Sequence, residues 1–89
     1  MPANCGGIGE TGRWFLYVII NPAGIAYTGI STDVERRLEA HNRGTGAKFT
    51  RGRGPWTLVY CEGPFDRAQA SSREFAVKRD SALKAALKR

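Results

Sequence analysis

Four cations, Arg43, Lys48, Arg51 and Arg53, fall within eleven consecutive residues that contain no acid. Clustered positive charge of this kind suits a polyanionic partner. The plain alternative is a solvated basic loop that aids solubility. Just upstream, Val34, Leu38 and His41 recur at i, i+4 and i+7 and mark the inner stripe of a helix. Arg37 lies three residues after Val34 and four before His41, so it shares that face, whereas Arg36 and Arg43 point elsewhere. A guanidinium turned inward is costly unless it is paired. Its planar fork of donors matches a phosphate; otherwise it snorkels from the edge of the stripe. Zinc chemistry is excluded, because the chain has a single histidine, two cysteines (Cys5 and Cys61) and no C-x-x-C. The cysteines read as one exposed and one half-buried thiol.

The elements that must position these groups can be read from pattern. Eighty-nine residues with 42% apolar and 25% charged content allow one small globular domain. The fourteen Lys and Arg against eight Asp and Glu are unevenly spread. Residues 1–50 carry five bases and four acids, residues 51–89 nine and four. The longest apolar run, Trp14 to Ile20, has seven residues, too short for a membrane span. No basic segment leads into an apolar one at the N-terminus, so a cytoplasmic location is expected. Residues 1–12 hold four glycines and no periodicity and read as a disordered leader, leaving 13–89 as the single domain.

Trp14 to Ile20 is aromatic and aliphatic with no polar face, as in a strand buried on both sides. Asn21-Pro22-Ala23-Gly24 supplies a turn, and Ile25 to Ile30 a second strand, completing a hairpin. A helix follows to about Asn42 or Arg43, opened by a Thr32–Glu35 capping box and stopped by Gly44 and Gly46. Gly44 to Pro55 is a flexible basic loop. Trp56 to Cys61 is a third strand, broken by Gly63-Pro64. Asp66 caps a second helix over about Arg67 to Arg79, with Ala68, Ser72, Phe75 and Arg79 as its stripe, and Ala82 to Lys88 forms a short third helix. The order β-β-α-β-α-α predicts an α+β sandwich, a small antiparallel sheet flanked by helices, with strands and helices in one layer each. Tyr17 and Tyr27 share parity, so pairing Ile20 with Ala26 across a three- or five-residue connection puts both on one face.

Phe15-Leu16-Tyr17 followed by Tyr27-Thr28-Gly29, with the two tyrosines ten apart, resembles the paired motif of the GIY-YIG nucleases. The stretch Asp33 to Asn42 is similar to the next block of that family. Lys48-Phe49-Thr50-Arg51 and Gly54 to Tyr60 resemble its small stand-alone YhbQ-like group and the Slx1-type structure-specific nucleases. Arg73-Glu74-Phe75 resembles the block with the family's acidic residue. The likeness runs from residue 13 to about 80. Two departures stand out: the first triplet is Phe-Leu-Tyr, and no asparagine follows Glu74.

The resemblance implies a metal-dependent endonuclease that hydrolyses phosphodiester bonds in DNA, branched or single-stranded, or alternatively in RNA, with DNA repair as a setting. It implies Tyr17 as general base or water-positioning group, Tyr27 as its support, and Arg37 facing the scissile phosphate. His41 would sit at the pocket edge, and Glu74 would hold one Mg²⁺ or Mn²⁺. Arg36, Arg43, Lys48, Arg51 and Arg53 would contact nucleic acid. No membrane and no obligate protein partner are implied, and a monomer is expected. Mg²⁺ typically takes one or two carboxylates and fills its octahedron with water and phosphate oxygens, so one Glu suffices with substrate present. A tyrosine with a pKa near ~10 is a poor base at neutral pH unless a guanidinium or metal lowers it.

Plainer readings stand beside these roles. Tyr17 and Tyr27 suit a strand as ordinary aromatics. Glu74 can pair with Lys78 at i+4, and His41 suits a helix C-terminus. Phe49 and Trp56 could stack bases, though Trp56 opens a strand and fits a core. The competing function is a nucleic-acid-binding module that keeps the fold without useful turnover.

Overall fold

Trp14–Ile20 forms the central strand, β1, of a three-stranded antiparallel sheet in the computed structural model, which describes residues 13–87. The expected leader, residues 1–12, lies outside the described residues. Strand β2 (Ala26–Ser31) pairs with one edge of β1 and β3 (Thr57–Phe65) with the other, giving the order β2-β1-β3. Because β1 has neighbours on both edges and side chains on both faces, Phe15 to Ile19 are all buried.

Alternation along β1 divides the core in two. Phe15, Tyr17 and Ile19 pack with Val34, Trp56, Leu58 and Leu38 on one face. Leu16 and Val18 pack with Val77, Ile30, Leu83 and Leu87 on the other. The helix α1 (Val34–Arg43) therefore covers one face, and α2 (Arg67–Lys78) with α3 (Ser81–Leu87) covers the opposite one. The helices do not share the one layer that element order led us to expect; a sheet apolar on both faces needs cover on both. Among the described residues no helix is long and apolar enough to cross a membrane.

The β1–β2 register is the one parity requires: Ile20 opposes Ala26, and Tyr17 opposes Gly29. The connection spans residues 21–25, where Asn21 Oδ1 accepts from the Ile25 amide at 2.9 Å and the Asn21 carbonyl from the Gly24 amide at 2.9 Å. Strand β3 does not end at Gly63-Pro64 but continues to Phe65. A register shift between the Trp14–Phe65 and Leu16–Glu62 pairs absorbs the two residues. A bulge on an edge strand tolerates a proline without a ladder donor.

The cap of α1 is Asp33, not Thr32: its carboxylate accepts from the Arg36 amide at 3.1 Å, and Ser31 Oγ accepts from the Asp33 amide at 2.9 Å. Asp33 wins because a carboxylate at the N-terminus also faces the helix dipole. Gly44 ends α1 in the left-handed conformation with φ 82°. Asp66 caps α2 in a reciprocal box with Gln69, at 2.8 and 3.0 Å.

The expected stripe of α2 is out of phase. Ala70 and Val77 are its buried residues, while Phe75 is 65% exposed with the Arg79 guanidinium over its ring. Cys61 carries no free thiol, against the expectation of a half-buried one. Cys5 lies outside the described residues.

Candidate active site

The hairpin register brings Tyr17 and Tyr27 to the α1 face of the sheet, with ring centroids 6.5 Å apart. The α1 stripe delivers His41 to the same place, fully buried, 5.9 Å from the Tyr17 ring and edge-on to Tyr27 at 5.1 Å. Tyr17 Oη lies 2.8 Å from His41 Nε2. The other ring nitrogen, Nδ1, is 2.7 Å from Thr50 Oγ, which in turn donates to the Ala47 carbonyl at 3.0 Å. Tyr17, His41 and Thr50 thus form a buried hydrogen-bonded chain from β1 through α1 into the basic loop.

Burial dominates the electrostatics of this chain. It pushes the Tyr17 phenol up to about 12, opposed by the hydrogen-bonding and charge of the neighbouring Arg37 guanidinium and reinforced by the charges of Tyr27 and Glu74. Burial, then the Arg37 charge, lowers His41 to about 4. At neutral pH the pair is an uncharged phenol and an uncharged imidazole.

Arg37, half-buried at the edge of the α1 stripe, is therefore close enough to act on both rings. Glu74 approaches from α2, in phase with Ala70 and Val77 and so part of the stripe turned toward the sheet. Its charge reaches the Tyr17 phenol, and its carboxylate also pairs with Lys78 at 3.2 Å. The expected i+4 pair and the placement near the phenol coexist.

The proposed contact residues separate into two groups. Arg36 and Arg43 are exposed and line an outer depression with Asp33, Glu35 and Glu39, a mixed-charge surface. Lys48, Arg51 and Arg53 are exposed on the loop beside the tyrosines. Arg53 lies over the Phe49 ring at 5.1 Å, and Phe49, 46% exposed, stacks on Tyr27 at 5.9 Å and 19°. Trp56 is buried, as its core reading required.

The loop is tied down rather than flexible. Trp56 Nε1 donates to the Thr50 carbonyl at 3.1 Å, Asn42 Nδ2 to the Trp56 carbonyl at 3.2 Å, and Asn21 Nδ2 to the Arg53 carbonyl at 3.0 Å. The Trp56 amide donates to Asn42 Oδ1 at 2.6 Å.

Sequence reasoning missed Thr50 and two glycines. Thr50 lies in a segment whose charge is its only sequence signal. A Cβ at Gly29 would stand 2.6 Å from Tyr17 Oη, and one at Gly46 would collide with the His41 ring and lie 3.0 Å from its Cα. Both glycines make room for site side chains. Gly29→Ala is therefore expected to displace the Tyr17 phenol and lower any cleavage rate by about 10-fold or more, as misplacement of about 1 Å does. Nucleic-acid affinity should stay within about twofold, because the loop cations are untouched. Paired rate and binding measurements check this; an unchanged rate would show that the phenol position is immaterial.

A family model described as the GIY-YIG catalytic domain matches residues 13–85. The chain belongs to the GIY-YIG family. It is 51% identical over 65 residues to the UPF0213 protein SG0387 of Sodalis glossinidius, covering 73% of this chain and 61% of that protein. It is 46% identical over 78 residues to the UPF0213 protein DP2720 of Desulfotalea psychrophila, covering 84% and 71%. The UPF0213 protein YhbQ of Escherichia coli is 49% identical over 65 residues, covering 73% of this chain and 65% of that protein. The chain thus spans about three fifths of the Sodalis relative's length. The solution NMR structure of the UPF0213 protein BH0048 from Bacillus halodurans matches 82% of this chain and 78% of its own at 40% identity, with a TM-score of 0.49.

The GIY-YIG domain is a nuclease-superfamily domain, and nucleic acid is the substrate class that it implies. The fit of a GIY-YIG site to a divalent cation rests here on one carboxylate. Among the described residues no three of His, Cys, Asp and Glu converge. Glu74 alone suits a hard cation that takes its other oxygens from water and phosphate. The donor set therefore fits Mg²⁺ or Mn²⁺ shared with substrate and does not fit a preformed protein cage.

Proposed function

We propose that the protein is a metal-dependent endonuclease that hydrolyses phosphodiester bonds in DNA. The observation that carries this reading is the Tyr17 phenol held 2.8 Å from His41 Nε2 beside the Arg37 guanidinium. In hydrolysis a water oxygen bonds to phosphorus, the ester P–O bond breaks, and the leaving oxygen takes a proton from solvent. A phenol near pKa 12 cannot take the water's proton while it keeps its own. His41 Nε2 is the acceptor within reach, so Tyr17 passes its proton to His41 as it receives one from water. Arg37 orients the phosphate through its fork of donors and offsets the charge that builds on the phosphoryl oxygens.

Glu74 would hold one Mg²⁺ or Mn²⁺ jointly with the phosphate; when bound, the ion supplies further charge neutralisation at the reacting phosphate. Lys48, Arg51 and Arg53 track the backbone on the side where Phe49 is exposed.

A cleavage panel tests the proposal: duplex, single-stranded, flap and branched DNA plus RNA, each with and without Mg²⁺ or Mn²⁺. Cleavage of at least one DNA substrate, lost on chelation, is the expected result. Binding without cleavage on every substrate would overturn it in favour of a binding module that retains the fold.

A further inference from the structure

We propose that Thr50 is a positioning residue that fixes the His41 ring in the tautomer protonated on Nδ1, so that Nε2 is bare and accepts the Tyr17 phenol proton. The inference rests on the reading of Tyr17 and His41 given above and deepens it.

The proton count along the chain leads to this assignment. A threonine hydroxyl has one proton to give. Thr50 Oγ stands 3.0 Å from the Ala47 carbonyl oxygen and 2.7 Å from His41 Nδ1. A carbonyl only accepts, so the hydroxyl proton belongs between the two oxygens; otherwise they would face each other bare. A lone pair of Oγ then points at Nδ1, which must carry the hydrogen. The far end agrees. Arg37 can only donate toward the Tyr17 oxygen, and His41 Nε2 is the acceptor at 2.8 Å for the buried phenol proton. Each donor in the series Tyr17, His41, Thr50 then has one acceptor, ending at a carbonyl. The Ala47 amide, 3.4 Å from Nδ1, is the one contact that favours the reverse order, and it lies at the long limit of a hydrogen bond.

Thr50 is also held as a positioning residue needs to be. It is fully buried, its amide donates to the Ala47 carbonyl at 3.1 Å, and its carbonyl accepts from Trp56 Nε1 at 3.1 Å and from the Arg53 amide at 3.2 Å. A hydroxyl so fixed dictates which ring nitrogen bears the proton, as an oriented partner does for a catalytic imidazole.

Long-range ¹⁵N–¹H spectra of the full chain at neutral pH test this directly, since His41 is the chain's single histidine and its signals are unambiguous. Nδ1 is expected to be pyrrole-like and Nε2 pyridine-like. Thr50→Val keeps the shape and removes the hydroxyl; it should shift the tautomer ratio toward Nε2–H and lower kcat by about 10- to 100-fold with KM little changed, the scale of losing a supporting partner. Thr50→Ser should restore both. An Nε2-protonated ring in the unmodified protein, an unmoved tautomer in Thr50→Val, or a serine variant as impaired as the valine would each overturn the assignment. Should Thr50→Val not fold, the spectra of the unmodified protein and the serine variant decide. Absence of cleavage by the unmodified protein would sink the nuclease reading while the spectra still decide the tautomer, so the two failures are distinguishable.

Discussion

Glu74→Ala is expected to cut metal-dependent cleavage by on the order of 10³-fold while leaving the fold and the nucleic-acid affinity in place. Glu74 is half-buried on the inner stripe of α2, between Ala70 and Val77, and its charge reaches the Tyr17 phenol. Its 3.2 Å pair with Lys78 joins the half-buried carboxylate to a half-exposed ammonium one helical turn on, and contributes about 0.5 kcal/mol or less to stability. Removing a negative charge close to phosphate relieves repulsion, so binding should persist or tighten. Cleavage and binding are measured on one preparation with Mn²⁺ titrated. Glu74→Gln, which preserves shape, should be as inactive as the alanine variant. Undiminished cleavage by either variant would remove the metal role.

Arg37→Ala is expected to lower turnover by at least ~10²-fold, and Arg36→Ala to change it little. The two neighbours occupy different environments. Arg37 acts on both Tyr17 and His41, whereas Arg36 lies on the outer surface among Asp33, Glu35 and Glu39. Loss of Arg37 also removes the influences that oppose burial at Tyr17, so the phenol becomes still harder to deprotonate. The acceptor side moves the other way, since the Arg37 charge lowers His41 and its removal makes the imidazole more basic. Transition-state loss confined to Arg37 would appear as a kcat difference between the two variants at saturating substrate. Equal effects would show that the face assignment or the role is wrong.

Much of this site is legible in the sequence, because it is built from short-range periodicities. The period of two places Tyr17 and Tyr27 on one face. The helical period of α1 places His41 inward and Arg37 beside it. The structure departs from the sequence pattern where a residue's phase outweighs its chemical type. The stripe expected for α2 runs through Phe75, the largest apolar residue of that helix, yet Ala70 and Val77 are the buried ones. The observed phase places Glu74 within the buried stripe. Gly63-Pro64 looks like a strand end in sequence, because pattern carries no sign of the bulge that accommodates both residues. Thr50 was out of reach for another reason. Its partners His41, Ala47 and Trp56 are drawn together by tertiary folding of a loop with no periodicity to read.

The central position of β1 has a consequence for how the molecule breathes. Amides of a strand paired on both edges and covered on both faces exchange with solvent only when the whole domain opens. Tyr17 therefore sits in the last part of the chain to be released. Glu74 rides on α2, whose buried anchors are Ala70 and Val77, so α2 can lift off in a smaller, cheaper fluctuation. On warming, the phenol and the carboxylate would part company while the sheet is still intact, and competence for chemistry would fade ahead of global melting.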